Sequence, residues 1–321
     1  MRITRRALLA TAGAALAIPA RAEAYPSKPI RFVIPVPPGG GVDILTRTIG
    51  QKLAELIGQP VIPENKPGAS AVIGTELVAK APPDGYTILM AYSAHIINPL
   101  LTKTVPYDPI ADFTPIVHVG FIPLILVVNP ALPVNSVAEL VALAKAKPGE
   151  LQFASGGAGA GAHLSGALFN YVAGLDLTHV PYKGNAPALT DVIGGHVPIM
   201  FDTITTALPY VKEGKLKALA VTSTTRSALA PELPTMIEAG LPGFDVSAWY
   251  CVLAPAHTPA EVVAPLNAGI NKALQDPELR QRFAAQGVET VGGPPEKLDA
   301  FLRAESERWT KVVAATGMKA D

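Results

Sequence analysis

The chain has 321 residues, 49% of them hydrophobic and 16% charged, with 26 basic and 26 acidic side chains. That balance excludes a disordered chain and gives enough apolar material for two domains with sizeable cores. It also argues against a nucleic-acid partner, since removing the first 24 residues takes four Arg and one Glu and leaves 22 basic and 25 acidic groups.

Residues 1–24 read as an export signal: Arg2, Arg5 and Arg6, then an apolar Ala7–Ala20, then small-x-small cleavage candidates at Ala20–Ala22 and Ala22–Ala24. Thr4-Arg5-Arg6 followed by Ala7-Leu8-Leu9 has the twin-arginine pattern, which a Sec signal can also carry. The lone cysteine, Cys251, is far from any cleavage site, so no lipid anchor and no internal disulfide are expected. The expectation is an exported, periplasmic protein.

After the signal, Ile30–Val36 reads as a strand, followed by the Pro/Gly loop at 37–41 and a helix from Asp43 to Ile57 with Leu45, Ile49, Leu53 and Leu56 on one stripe. Asp43 is placed to cap that helix. Val61–Pro63 is a short strand, Ala69–Ala81 a helix and Tyr86–Tyr92 a strand, an alternation that calls for right-handed crossovers and a parallel sheet. Pro99–Pro115 reads as irregular. Phe121–Val128 is an apolar strand, and Ser136–Lys147 a helix opened by a capping box at Ser136 and Glu139.

The alternation then restarts. Strands are expected at Leu151–Ala154, Leu177–Tyr182, Val197–Phe201 and Leu216–Thr222, separated by helices at Ala162–Val172, Pro187–Ile193 and Leu208–Glu213. Pro231–Pro242 is turn-rich around a short helix and Val246–Leu253 is a strand. Three helices that start near prolines, at Pro259–Leu274, Pro277–Gln286 and Pro294–Ala315, close the chain.

The chemistry concentrates in two loops. Gly39, Gly40 and Gly41 follow a strand and open a helix, and Ser155–His163 (SGGAGAGAH) repeats that layout in the second half. Glycines allow close approach of a ligand to backbone amides, and the helix start favours an anion. Ligands of open parallel sheets bind at strand carboxyl ends, where both loops sit. Gly157-x-Gly159-x-x-Ala162 also fits a dinucleotide fingerprint, but Asp176 precedes the next strand instead of following it. There is no phosphate-binding lysine loop, no zinc-type histidine spacing and no G-x-S-x-G, so neither cofactor nor metal is expected. Tyr92, Tyr182, Trp249 and Tyr250 near strand ends are candidate pocket walls, with core packing as the plainer role. Lys183 is a candidate cation. Ser93, beside Tyr92, and Asp202, after Phe201, complete the candidate set.

Seven stretches in order resemble one family: YPSKPIRFVIPVPPGGGVD, NKPGASAVIGTELVAKAPPDGYTILM, NP…VPYDPIADFTPI, FASGGAGAGAHLSGALF, HVPYKGNAPALTDVIGGHV, LPTMIEAGLPGFDVSAWY and LAPAHTPAEVV. The chain resembles the extracytoplasmic solute receptors of tripartite tricarboxylate transporters, the Bug receptors. The resemblance implies an α/β, type II periplasmic-binding-protein architecture with two crossovers and C-terminal helices packed on the first domain. It assigns residues 25–124 and 244–321 to one domain and 125–243 to the other. It implies no enzyme activity, a small organic acid as ligand, membrane permease subunits as partners and a monomer. The grip on one carboxylate would fall to Pro38, Gly39, Gly40 and Asp43 with Ser155, Gly157, Gly159 and His163, partly through water. Two departures stand out: Cys251, where the family commonly has glycine, and Pro38, which lowers the number of N–H donors. A sensor of the same fold, or less plausibly a nucleotide-dependent exported enzyme, is the alternative function.

Overall fold

A computed structural model describes residues 25–102, 104–157 and 160–318. Residues 1–24, read above as an export signal, and the candidate residue Gly159 lie outside the described residues. The α/β class expected from the alternating pattern is what the chain forms. Its strands make one path in the order Val61–Asn65, Ile30–Ile34, Thr87–Tyr92, Ser247–Pro255, Phe113–Val128, Ile199–Thr203, Gln152–Ser155 and Thr178–Pro181, with Lys217–Val221 and Glu289–Thr290 also pairing to Phe113–Val128.

The first section begins with β1 (Ile30–Ile34), α1 (Gly41–Ile57), β2 (Val61–Asn65), α2 (Val72–Ala79) and β3 (Thr87–Tyr92). β2 and β3 flank β1, both parallel to it. Between β2 and α2 the expected single helix from residue 69 is broken: Ala69, Ser70 and Ala71 all have positive φ, so a left-handed turn precedes α2. α1 starts two residues earlier than expected because Gly40, extended and without a side-chain acceptor, is its N-cap.

The segment expected to be irregular contains two elements. α3 (Ala94–Leu101) carries Pro99 inside it, and β4 (Phe113–Val128) runs for 16 residues through Pro115 and Pro123. Its pairing with β9 shifts register at Pro115/Val117 and His118/Gly120, the kind of irregularity that accommodates proline in a strand. Of the prolines in that segment, Pro115 is absorbed into the bent strand and Pro99 into α3, while Pro106 and Pro109 stay outside both.

The second section holds α4 (Val137–Ala146), β5 (Gln152–Ser155), α5 (Gly161–Ala173), β6 (Thr178–Pro181), α6 (Asn185–Ile193), β7 (Ile199–Thr203), α7 (Ile204–Lys212) and β8 (Lys217–Val221). The capping box opens α4 as expected, Ser136 Oγ accepting from Glu139 N at 3.1 Å and Glu139 accepting from Asn135 N at 2.7 Å. β5 pairs in parallel with β6 and β7. α7 starts four residues earlier than expected and carries Pro209 inside it. Residues 231–242 form turns with no helix.

β9 (Ser247–Pro255) returns to the first section, antiparallel to both β3 and β4. α8 (Ala260–Leu274) and α9 (Pro277–Ala285) follow, then the two-residue β10 (Glu289–Thr290) on β4 and α10 (Pro295–Thr316). The stripe Leu45, Ile49 and Leu53 of α1 packs with Val263, Leu266 and Ile270 of α8 in a shared core. α10 does more than return to the first section. Its Leu298 and Leu302 join the core over β3 and β9, while Trp309 and Val312 join the core over β5 and β7.

Between these cores, Glu305 of α10 is buried and accepts from the indole N–H groups of Trp249 at 3.0 Å and Trp309 at 3.2 Å, with Arg308 completing the group. Burial pushes the Glu305 carboxyl up, although Arg308 and the two indoles favour its ionised form.

The strands that pass between sections are tied by one buried hydroxyl. Thr222 Oγ1 accepts from Leu124 N at 2.9 Å and donates to Val246 O at 2.6 Å, while Thr222 N donates to Leu124 O at 2.9 Å. A valine there keeps the shape but leaves Leu124 N–H and Val246 C=O without partners. A buried orphan of this kind costs about 1–3 kcal/mol. Thr222→Val should therefore lower the urea midpoint without changing the slope, and an unchanged midpoint would show that water replaces the hydroxyl.

Candidate functional site

β4 serves as a ruler for locating the site. Tyr92, the last residue of β3, is level with Tyr250 of β9, and Tyr250 is level with Gly120 of β4. Thr203, the last residue of β7, is level with Leu124. β3 runs parallel to β4 and β7 antiparallel to it, so their carboxyl ends face each other across residues 120–124. Four residues of strand span about 13 Å. β1 ends on the same edge as β3, and β5 and β6 end with β7. The loops after β1 and β5 thus leave from opposed strand ends. A Cβ on Gly161, the first residue of α5, would meet the Leu124 side chain at 3.5 Å.

In the first loop, Gly39 has φ +91° and open space where a Cβ would stand. Its amide donates to Asp43 Oδ2 at 2.9 Å. Asp43 is therefore not the N-cap the sequence suggested. It sits in the third helical position and reaches back to hold the loop, while Arg47 Nε (3.0 Å) and Asn65 Nδ2 (2.9 Å) occupy Oδ1. Asn65 also donates to Val36 O. Burial pushes the Asp43 carboxyl up, but the bonds from Arg47, Gly39 and Asn65 outweigh it and hold the group down at about 2. With Gly39 N–H committed, the donors left are those of Gly40 and of the first turn of α1. The first intrahelical bond is Ile44 N to Gly40 O, so Gly41, Val42 and Asp43 have no intrahelical acceptor. Pro38 is exposed and has no N–H.

The second loop follows the same logic. Gly157 has φ +124°, and its amide donates to Ser155 Oγ at 3.1 Å. Ser155 O and Gly156 O accept from Tyr182 N and Gly184 N, so the loop continues the β5–β6 ladder beyond the strands. A Cβ on Gly156 would stand 2.2 Å from Asn185 Oδ1. α5 makes its first bond from Leu164 N to Ala160 O, which leaves Gly161, Ala162 and His163 without intrahelical acceptors. His163 is buried, its ring stacked on His179 at 4.0 Å. The Asp202 side chain, fully buried, accepts Asn185 Nδ2 and Thr203 N at 2.8 Å each on Oδ1, with no partner on Oδ2.

The remaining candidates divide. Tyr92 lies at the cleft edge of β3, its hydroxyl pushed up to about 12 by burial, and Ser93 begins α3, its carbonyl accepting from Ile96 N and Ile97 N. Tyr182 braces α6, donating to Asp191 at 2.7 Å. Trp249 is 2% exposed and bound to Glu305 on the α10 face, so it is a core residue and not an open wall. Lys183 is exposed at the turn after β6. Cys251 is fully buried, which pushes its thiol up and makes it inert. Asp176 precedes β6, at the end away from the loop. Arg47, Asn65, His179 and Asn185 escaped sequence reading. Each acts on a residue distant in sequence, or one turn away, and none falls in a recognisable spacing. No group of three or more metal-ligating side chains occurs among the described residues.

Two carboxyls give opposite pH signatures. For Asp43, held at about 2 against an ordinary 3.8, the unfolded chain takes up its proton first, so stability is lost as pH falls from 4 to 2, by about 2 kcal/mol. Asp43→Ala should be less stable at neutral pH and lose that acid limb. For Asp202, burial raises the carboxyl to about 6, against the bonds from Thr203 and Asn185. The folded state then keeps a proton the unfolded chain has released, so stability falls by about 3 kcal/mol as pH rises from 4 to 6. Asp202→Asn should flatten the melting temperature across that window; an unchanged slope would place the titration elsewhere.

Comparison with known proteins agrees with this fold. Residues 45–318 match the family described as tripartite tricarboxylate transporter family receptor. The chain is 40% identical to Protein BugT of Bordetella pertussis over 313 residues, covering 97% of this chain and 95% of that protein. Among solved structures it is similar to R. palustris Rpa4515 with adipate (36% identity, TM-score 0.76, 92% of this chain and 100% of that one). It is likewise similar to the periplasmic binding protein BugD (35% identity, TM-score 0.73, 92% and 100%). The family comprises transport receptors, not enzymes, and no helix among the described residues is long and apolar enough to cross a membrane. The chain belongs to the tripartite tricarboxylate transporter receptor family, the Bug-type periplasmic binding proteins.

Proposed function

We propose that this receptor captures a small organic carboxylate between its two sheet sections and delivers it to the membrane permease subunits of a tripartite tricarboxylate transporter. The two sections would act as the domains at 25–124 with 244–321 and at 125–243, closing over the guest as a monomeric receptor in the periplasm. The observation that carries this reading is the opposition of α1 and α5 across residues 120–124 of β4, with the amides of Gly41, Val42, Gly161 and Ala162 lacking intrahelical acceptors. One similar structure holds adipate, a dicarboxylate.

Each helix start favours an anion by up to about 2 kcal/mol when partly buried. A micromolar dissociation constant needs about 8 kcal/mol. The two ends together fall short, so hydrogen bonds from Gly41, Val42, Gly161, Ala162 and the side chains at the strand ends, with ordered water, supply the remainder. Asp43 does not oppose the anion fully, because Arg47 stands 3.0 Å from it and offsets its charge.

Mass spectrometry of ligand released from freshly purified protein, followed by calorimetry with four- to six-carbon dicarboxylates including adipate, tests the substrate class. Failure of every carboxylate to bind, with a neutral compound released instead, would overturn it. A second test separates binding from folding. Gly41 has open space at its Cβ position and sits in the first helical turn. Gly41→Asp should keep or raise the melting temperature, since an acid there suits the helix dipole, while weakening carboxylate binding more than tenfold. Unchanged affinity would move the site away from α1.

A further inference from the structure

Ser155, the last residue of β5, is fully buried. Its Oγ lies 3.1 Å from Gly157 N, 3.1 Å from Gly157 O and 2.6 Å from His179 Nε2. A hydroxyl gives one proton and accepts on two lone pairs. One assignment satisfies all three contacts: Gly157 N–H and His179 Nε2–H donate to Oγ, and Oγ–H donates to the Gly157 carbonyl. The opposite assignment, with Ser155 donating to a bare Nε2, would turn an oxygen lone pair on the Gly157 carbonyl. The network therefore places the His179 proton on Nε2.

The same ring has a second contact. It stacks on His163 with centroids 4.0 Å apart and planes 6° from parallel, and it packs against Phe153 at 5.1 Å. His163 is the third residue of α5, and its amide is one of the three that lack an intrahelical acceptor. One imidazole on β6 thus touches both parts of the second loop, the Ser155–Gly157 turn through Nε2 and the first turn of α5 through its face.

We propose that His179 is the positioning residue of the second anion-binding loop. It touches no guest. Its Nε2–H turns the Ser155 hydroxyl so that Gly157 is held at its left-handed φ, and its ring plane sets the height of the α5 start above that turn. The geometric part stands without a ligand; the effect on affinity rests on the carboxylate reading above.

Two substitutions separate the two contacts. His179→Phe keeps a ring for the stack and removes the N–H, whereas His179→Gln keeps an amide donor within reach of Ser155 and removes the ring. In ligand-free protein at pH 8, ring ¹⁵N shifts should report the Nε2–H tautomer for His179. Hydrogen exchange of the Gly157 amide should be at least tenfold faster in His179→Phe and close to wild type in His179→Gln. Adipate affinity by calorimetry should fall at least tenfold in His179→Phe, with partial recovery in His179→Gln, and little change when His179→Phe is added to Ser155→Ala. An Nδ1–H tautomer, unchanged Gly157 exchange in His179→Phe, or equal behaviour of the two variants would overturn the proposal. If wild-type protein binds neither adipate nor another dicarboxylate, the carboxylate reading fails, while the tautomer and exchange measurements still decide the role of His179.

Discussion

The structure depends on a single long strand that belongs to both halves. β4 pairs with β9 along its first part and with β7 and β8 along its last five residues. Because β3 runs with it and β7 against it, the strand ends that carry glycine loops are turned toward one another. Strand direction, not loop composition, makes the two loops face each other. Had β7 run the other way, the same loops would lie at opposite extremes of the molecule and share nothing.

Both loops use their glycines in an unexpected way. Glycine was read as a means of bringing backbone amides up to a ligand, yet Gly39 and Gly157 spend theirs on Asp43 and Ser155. The positive φ of each turns its amide inward to a side chain that fixes the loop. The intrahelical ladder of the following helix begins only after its third residue. The glycines thus shape and brace the loops, and in the proposed reading the helix starts provide the donors. A loop already fixed in this way would lose little freedom on binding a guest.

Support for the two loops comes from side chains remote in sequence. Asn65 of β2 ties Val36 and Asp43 together, and Asp202 of β7 holds Asn185, which abuts Gly156. α10 contributes at larger scale, with Glu305 joining Trp249 of β9 to Trp309 of its own helix between the two cores it packs into. Thr222 does the same for the crossing strands. In each case a buried polar group is paired across elements, which favours one arrangement of those elements over looser alternatives.

Much of this was determined by the sequence alone. Apolar periodicity placed α1, α8 and most strands, the Ser136–Glu139 box placed α4, and the motif order pointed to the receptor family, because these signals act over a few residues. Local reading failed where tertiary contacts overrode local preference. Pro115 was absorbed into β4 because β9 pairs around it, and α3 formed despite Pro99. The N-cap assignment of Asp43 failed because Gly40, extended and lacking a side chain, lets α1 begin earlier. The contacts of Asp43 with Asn65, Ser155 with His179 and Asp202 with Asn185 were invisible, since hydrogen bonds between residues 22, 24 and 17 apart leave no spacing signature. Only the folded sheet decided that two similar loops meet across one strand, because facing depends on strand direction and register, which no single segment encodes.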